Sequence, residues 1–126
     1  MSTKQAILRQ QQVDSPTLER LLKARKNGEV DFVLIDIREP DEYEDGHIAG
    51  VDYLLPTTEL QSWAGLLTDR FGDRPIVLTC RTSNRTGQVQ QILQEQLGMT
   101  NIVDHAGGIV TYLGATESGM EGARGV

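Results

Sequence analysis

Cysteine is almost absent from this chain. The single Cys80 among 126 residues rules out an internal disulfide and any metal site built from several thiolates. Histidine is nearly as scarce, and His47 and His105 lie far apart, too thin a set for a metal centre. Positive charge is also short. Twelve Lys and Arg against 18 Asp and Glu leave a net charge of −6, which argues against non-specific binding to nucleic acid or to an anionic membrane. No apolar run approaches the length of a membrane span, and residues 1–10 lack the apolar segment of a secretory leader. The expected compartment is therefore a reducing cytoplasm, which suits a protein whose one thiol must stay free. What remains is a 38% hydrophobic, 24% charged chain, long enough for one domain with a real core and too short for two ordinary ones.

The chain is organised around Cys80. It closes the apolar run Ile76, Val77, Leu78 and opens a polar stretch, Arg81, Thr82, Ser83, Asn84, Arg85. Val89, Ile92, Leu93 and Leu97 then recur at helical spacing until Gly98. The pattern predicts a strand, a short loop and a helix, with Cys80 at the carboxyl end of the strand. A loop that turns directly into a helix aims several backbone N–H groups at one spot, which makes an anion site. Arg81 and Arg85 are expected to add two permanent positive charges there, and these favour the thiolate over the thiol. The competing reading is that Cys80 is a small buried hydrophobe. The two arginines and the helix start weigh against it, because a mere packing position does not gather cations around sulfur.

In chain order, residues 1–12 are expected to be a polar lead-in, frayed or forming a short edge strand near Ile7 and Leu8. Ser15 and Pro16 signal a helix start with Ser15 as cap, and Leu18, Leu21 and Leu22 mark its inner face. The nearly continuous apolar run from Phe32 to Ile37 predicts a strand covered on both faces, ending at Asp36 and Arg38. A short helix from Pro40, a glycine-bounded turn around His47 and a strand near Tyr53 and Leu54 follow. Thr57 or Thr58 is expected to cap a helix carrying Leu60, Trp63, Leu66, Leu67 and Phe71. After Gly98 come a short strand at Asn101, Ile102 and Val103, a turn at Gly107 and Gly108, and a last helix over 109–113. Residues 114–126, rich in glycine and poor in apolar side chains, are expected to be a disordered tail. Strands alternating with helices predict an α/β fold with a mostly parallel central sheet and helices on both faces. Sites in such sheets gather outside the carboxyl ends of the strands, so Asp36, Arg38 and Cys80 are expected to meet in space.

Three segments resemble the single-domain rhodanese-like sulfurtransferases. They are residues 34–43 with Gly46-His47-Ile48-Ala49-Gly50 close behind, the loop from Cys80 to Arg85, and Gly107-Gly108-Ile109. The resemblance implies the rhodanese-like three-layer sandwich over residues 13–113. It implies that Cys80 attacks the outer sulfur of a small anionic donor such as thiosulfate, carries it as a persulfide and passes it to cyanide or a thiol. A sulfur-carrier protein is the alternative partner. Backbone N–H groups of Arg81, Thr82, Ser83, Asn84 and Arg85 would cradle the persulfide. Asp36, Arg38 and His47 would be structural supports, and His105 a minor candidate for the pocket mouth. No cofactor and no metal are implied.

The sequence departs from that pattern in having Ser83 where many members have glycine, Tyr112 where tryptophan is common, and no apolar closing segment after Leu113. Two rival readings share the layout. A phosphatase or arsenate reductase of the cell-cycle phosphatase type has a loop one residue longer, which would put arginine at Thr86. The shorter ring here suits one extra sulfur atom rather than a tetrahedral oxyanion. A sulfur relay or a non-catalytic interaction module is the other; the intact Cys80 loop disfavours the module and leaves the relay open.

Overall fold

The computed structural model describes residues 3–126. Met1 and Ser2, part of the expected lead-in, lie outside the described residues.

Five strands make one sheet: β1 (Gln12–Val13), β2 (Val33–Asp36), β4 (Tyr53–Leu54), β5 (Ile76–Thr79) and β6 (Ile102–His105). Their order is β1-β6-β5-β2-β4, and every neighbouring pair is parallel. Parallel strands buried on both faces require apolar side chains at successive positions, which is why β2 and β5 read as continuous runs. Alternation then sorts the side chains into two cores. Val33, Ile35, Ile76, Leu78 and Ile102 face one cluster with Trp63, Leu67, Val89 and Leu93. Leu34, Val77 and Val103 face the other with Leu8, Leu18 and Leu21. The helices that close these faces are α2 (Ser15–Lys26) on one side and α4 (Leu60–Trp63), α5 (Leu67–Phe71) and α6 (Asn84–Leu97) on the other. The result is the expected three-layer α/β arrangement. β5 is the middle strand, so Cys80 leaves the sheet at its centre.

Several local expectations are corrected. The lead-in contains helix α1 (Thr3–Ile7) rather than a strand near Ile7 and Leu8, and Leu8 is buried in the α2-side core. The cap of α2 is Asp14, whose carboxylate accepts from Thr17 N at 2.9 Å. Ser15 instead turns inward. The helix expected from Thr57 is broken into 3₁₀ turns and the short α4 and α5, leaving Leu66 exposed. The last helix is a single 3₁₀ turn, Ile109–Thr111.

The largest correction concerns residues 114–126, which are docked rather than disordered. β7 (Thr116–Glu117) pairs antiparallel with β3 (His47–Ile48). Farther on, Gly119 N donates to Glu44 O, Arg124 O accepts from Leu54 N, and the Arg124 guanidinium lies 4.7 Å from the Tyr53 ring. Val126 packs on the core cluster. Composition misled because this segment is held mainly by backbone pairing, which needs few apolar side chains.

Candidate active site

The carboxyl ends of three neighbouring strands lie side by side. Asp36 ends β2, Cys80 follows β5, and Asp104 and His105 end β6. Cys80 is 1% exposed, and its carbon side belongs to the apolar cluster with Leu78 and Val89. In that respect the packing reading was half right. Its sulfur, however, meets polar groups: Ser83 N donates to Sγ at 3.1 Å, and Thr86 Oγ1 lies 3.6 Å away.

Ser83 aims that N–H by adopting φ 73°, ψ 1°, the one non-glycine residue with positive φ among the described residues. The left-handed conformation costs an L-residue about 1 kcal/mol. It explains why glycine is at home here. Ser83→Gly is therefore expected to raise stability by roughly 0.5 kcal/mol after the added unfolded-state entropy is counted. Ser83→Val, β-branched, should lower it by about 2 kcal/mol. Urea unfolding of the two variants checks the sign.

The carbonyls of the loop are fixed from outside. Ile109 N donates to Cys80 O at 2.9 Å and Val110 N to Arg81 O at 3.2 Å. Gly108 permits this approach: a Cβ there would lie 2.3 Å from Arg81 O and 2.6 Å from Thr82 N. Thr82 and Asn84 are exposed and form the outer wall of the loop. Among the described residues, Ser83 supplies the one backbone N–H at hydrogen-bond distance from the sulfur.

The two arginines of the loop differ. Arg81 is exposed and makes no side-chain hydrogen bond or ion pair among the described residues. Arg85 forms a bidentate pair with Glu42, at 2.6 and 2.8 Å. Glu42 sits in α3 (Pro40–Asp45), where it also closes a capping box by accepting from Glu39 N. The Arg85 hydrogen bonds hold the Glu42 carboxyl down at about 2, against a partial opposing effect of burial. Glu42 in turn raises Arg85, with the Cys80 side chain a smaller contributor. The expectation of two free positive charges on the sulfur is thus corrected: Arg85 is a strut to α3, its charge largely matched.

Asp36 and Arg38 form a buried ion pair at 2.9 Å, and Arg38 Nη2 also donates to Gly46 O at 2.6 Å. This ties β2 to the end of α3. Such a pair is charge-assisted and geometrically specific rather than a large net source of stability. His47 is buried; its Nδ1 donates to Tyr43 O at 2.8 Å and its ring stacks on Tyr43 at 3.6 Å. All three residues hold α3 and its following turn, and none reaches Cys80 by hydrogen bond.

His105 does not line a pocket mouth. It is fully buried, with Nε2 2.7 Å from Ser15 Oγ and Nδ1 2.8 Å from Thr79 Oγ1. Burial pushes it down to about 4 from 6.5. Because the folded value is the lower one, the contribution to stability is complete above about pH 6.5 and is lost as pH falls towards 4, up to about 3 kcal/mol. The Glu42 contribution is lost in a lower window, below about pH 4.5. Urea midpoints should therefore drop between pH 7 and 4.5 in the native protein, and much less in His105→Gln.

A cleft of about 550 Å³ opens beside the loop, bordered by Arg38, Glu42, Asp45, Arg81, Ile109 and Val110. A second cleft of about 540 Å³, between α2 and the turn at Ala49 and Gly50, does not include Cys80 or its loop in its walls.

Sequence reasoning missed Thr86 and Asp104. Thr86 Oγ1 lies 2.5 Å from Asp104 Oδ1 and 3.1 Å from Ser83 O, and both side chains are buried. The helical spacing of Thr86, one turn before Gln90 and facing inward, was the available signal for the first. The strand expected to stop at Val103 hid the second.

The comparisons agree with this architecture. The family model described as the rhodanese-like domain matches residues 17–115. A putative mitochondrial thiosulfate sulfurtransferase of Schizosaccharomyces pombe is 32% identical over 96 residues, covering 68% of this chain and 66% of that protein. The uncharacterized protein YqhL of Bacillus subtilis is 36% identical over 81 residues, covering 64% of this chain and 60% of its own. The chain thus spans less than two thirds of the length of either relative. The crystal structure of a rhodanese-related protein from Thermoplasma volcanium superposes with a TM-score of 0.63 at 30% identity, covering 79% of this chain and 87% of that one. With the family model spanning most of its length, the chain belongs to the rhodanese-like domain family.

Proposed function

We propose that this protein is a sulfurtransferase that takes sulfane sulfur from a small anionic donor such as thiosulfate, holds it on Cys80 as a persulfide, and passes it to cyanide or a thiol. The Cys80 thiolate attacks the outer sulfur; a new S–S bond forms, the donor's own S–S bond breaks, and sulfite leaves with the electron pair. The next nucleophile attacks the outer sulfur and releases Cys80. The observation that carries this reading is the Ser83 N–H aimed at Sγ from a strained left-handed residue, since strain of this kind persists where the surroundings impose it. Donors fixed before reaction stabilise developing negative charge without reorganisation. On this reading the donor approaches by the cleft that Arg81 borders, and the loop has to move to admit it, because Cys80 is buried and does not line that cleft.

One observation favours the relay as a second reading. With Arg85 matched by Glu42, and Asp45 also on the rim, Arg81 is the cleft's one unmatched cation among the described residues, a weak lure for a free dianion. The exposed Val110 (57%) on that rim would suit a protein surface. Thiocyanate formation from thiosulfate and cyanide tests the first reading. Efficient loading only from a persulfidated protein donor would favour the second.

A further inference from the structure

Asp104 is a buried carboxylate, 2% exposed, that makes no ion pair with a Lys, Arg or His among the described residues. Its Oδ2 accepts from Gln12 Nε2 at 3.1 Å and its Oδ1 lies 2.5 Å from Thr86 Oγ1. A buried charge needs a reason. Thr86 has one hydroxyl proton and three acceptors in reach: Asp104 Oδ1 at 2.5 Å, Ser83 O at 3.1 Å and Cys80 Sγ at 3.6 Å. The carboxylate is the strongest and nearest, so it takes the proton. The oxygen lone pairs then face the sulfur. A lone pair there accepts from an S–H and repels a bare thiolate.

We infer that Asp104, acting through Thr86, is a positioning residue that disfavours negative charge on Cys80 Sγ and so biases the site towards the sulfur-loaded form. The inference rests on the persulfide reading above. When sulfur is bound, Sγ is the neutral inner atom of the pair and the charge or proton lies on the outer sulfur, farther from Thr86. On discharge, the bond from Sγ to the outer sulfur breaks, the acceptor gains that sulfur, and the electron pair returns to Sγ. The proton that Sγ then takes from solvent is donated to Thr86 Oγ1. Asp104 and Thr86 raise only the state in which Sγ is bare and charged, so they slow unloading. The other charged or titratable groups around this site are Arg81 of the loop, Arg85 of α6, Asp36 of β2, Arg38 just after it, Glu42 of α3 and His105 of β6; the Arg85 charge acts on the sulfur in the opposite sense.

The test is alkylation of Cys80 by iodoacetamide in the full chain at pH 7, which needs no sulfur chemistry. Asp104→Asn keeps the shape but leaves Thr86 only a weaker, neutral acceptor, so that the Thr86 hydroxyl proton can turn to a charged sulfur. It is expected to react roughly three- to tenfold faster than the native protein, and Thr86→Ser to react at the native rate. A role that only held the loop would, if lost, uncover the buried sulfur and raise the rate by the same factor at every pH. The inference instead requires the excess of Asp104→Asn over the native protein to fade towards about pH 10, where the thiol is ionised in both. An equal or slower rate at pH 7, or an excess that stays constant from pH 7 to about 10, overturns the inference. Should Asp104→Asn fail to give a cooperative melt, Asp104→Ser is read by the same criterion. Sulfur uptake by the native protein, measured separately, tests the persulfide reading. Its failure would leave the alkylation comparison intact, and a failed alkylation comparison would leave that reading intact.

Discussion

Gly108→Ala is expected to lose about 3 kcal/mol of stability and to lower sulfur transfer about a hundredfold in whatever fraction stays folded. The first effect follows from contact. An added Cβ would stand 2.3 Å from Arg81 O, 2.4 Å from Arg81 C and 2.6 Å from Thr82 N. These are backbone atoms, so no rotamer change relieves the clash. The residue also sits at φ 67°, ψ −171°, a region open essentially to glycine alone. The second effect follows from what must move. If the 108–110 turn retreats, the bonds from Ile109 N to Cys80 O and from Val110 N to Arg81 O are lost, and with them the orientation of the loop that aims Ser83 N–H at the sulfur. A drop of roughly 10 °C in melting temperature accompanies a loss of this size in a domain of this length. Gly107→Ala makes a useful comparison, because its Cβ would meet the Thr111 side chain rather than backbone. It should be the milder of the two; equal melting temperatures for the two variants would count against the clash.

Cys80→Ser should reduce sulfur transfer to the uncatalysed background, a loss of at least about a thousandfold. A serine hydroxyl is a poor nucleophile at neutral pH and forms no stable sulfur adduct, and no second cysteine exists to substitute. The fold should survive. Serine is close in size, and the Ser83 N–H can donate to its oxygen, so the cost is limited to placing a hydroxyl beside Leu78 and Val89, about 1–2 kcal/mol. Loss of activity with a retained cooperative melt separates chemistry from structure. A folded Cys80→Ser protein with native activity would remove the mechanism.

Much of the fold could be read in advance because the apolar runs of β2 and β5 and the leucine spacing of α2 state directly which faces are buried. The place of Cys80 followed from the turn of an apolar strand into a helical pattern. What stayed hidden depends on partners distant in sequence. Arg85 reads as a free cation until Glu42, on another helix, is brought to 2.6 Å. Asp104 draws no notice until Thr86 meets it. His105 reads as a loop histidine, and only Ser15 and Thr79, 90 and 26 residues away, turn it into a buried hydrogen-bonded ring. The tail shows the same limit in reverse. Its composition describes a segment unable to build a core, and it borrows one through pairing with His47 and Ile48.

The most direct measurement is the intact mass of the protein after incubation with thiosulfate and removal of excess donor. The account predicts a gain of one sulfur atom, located on Cys80 and released by cyanide. An unchanged mass, with Cys80 still available to alkylation after unfolding, would contradict it.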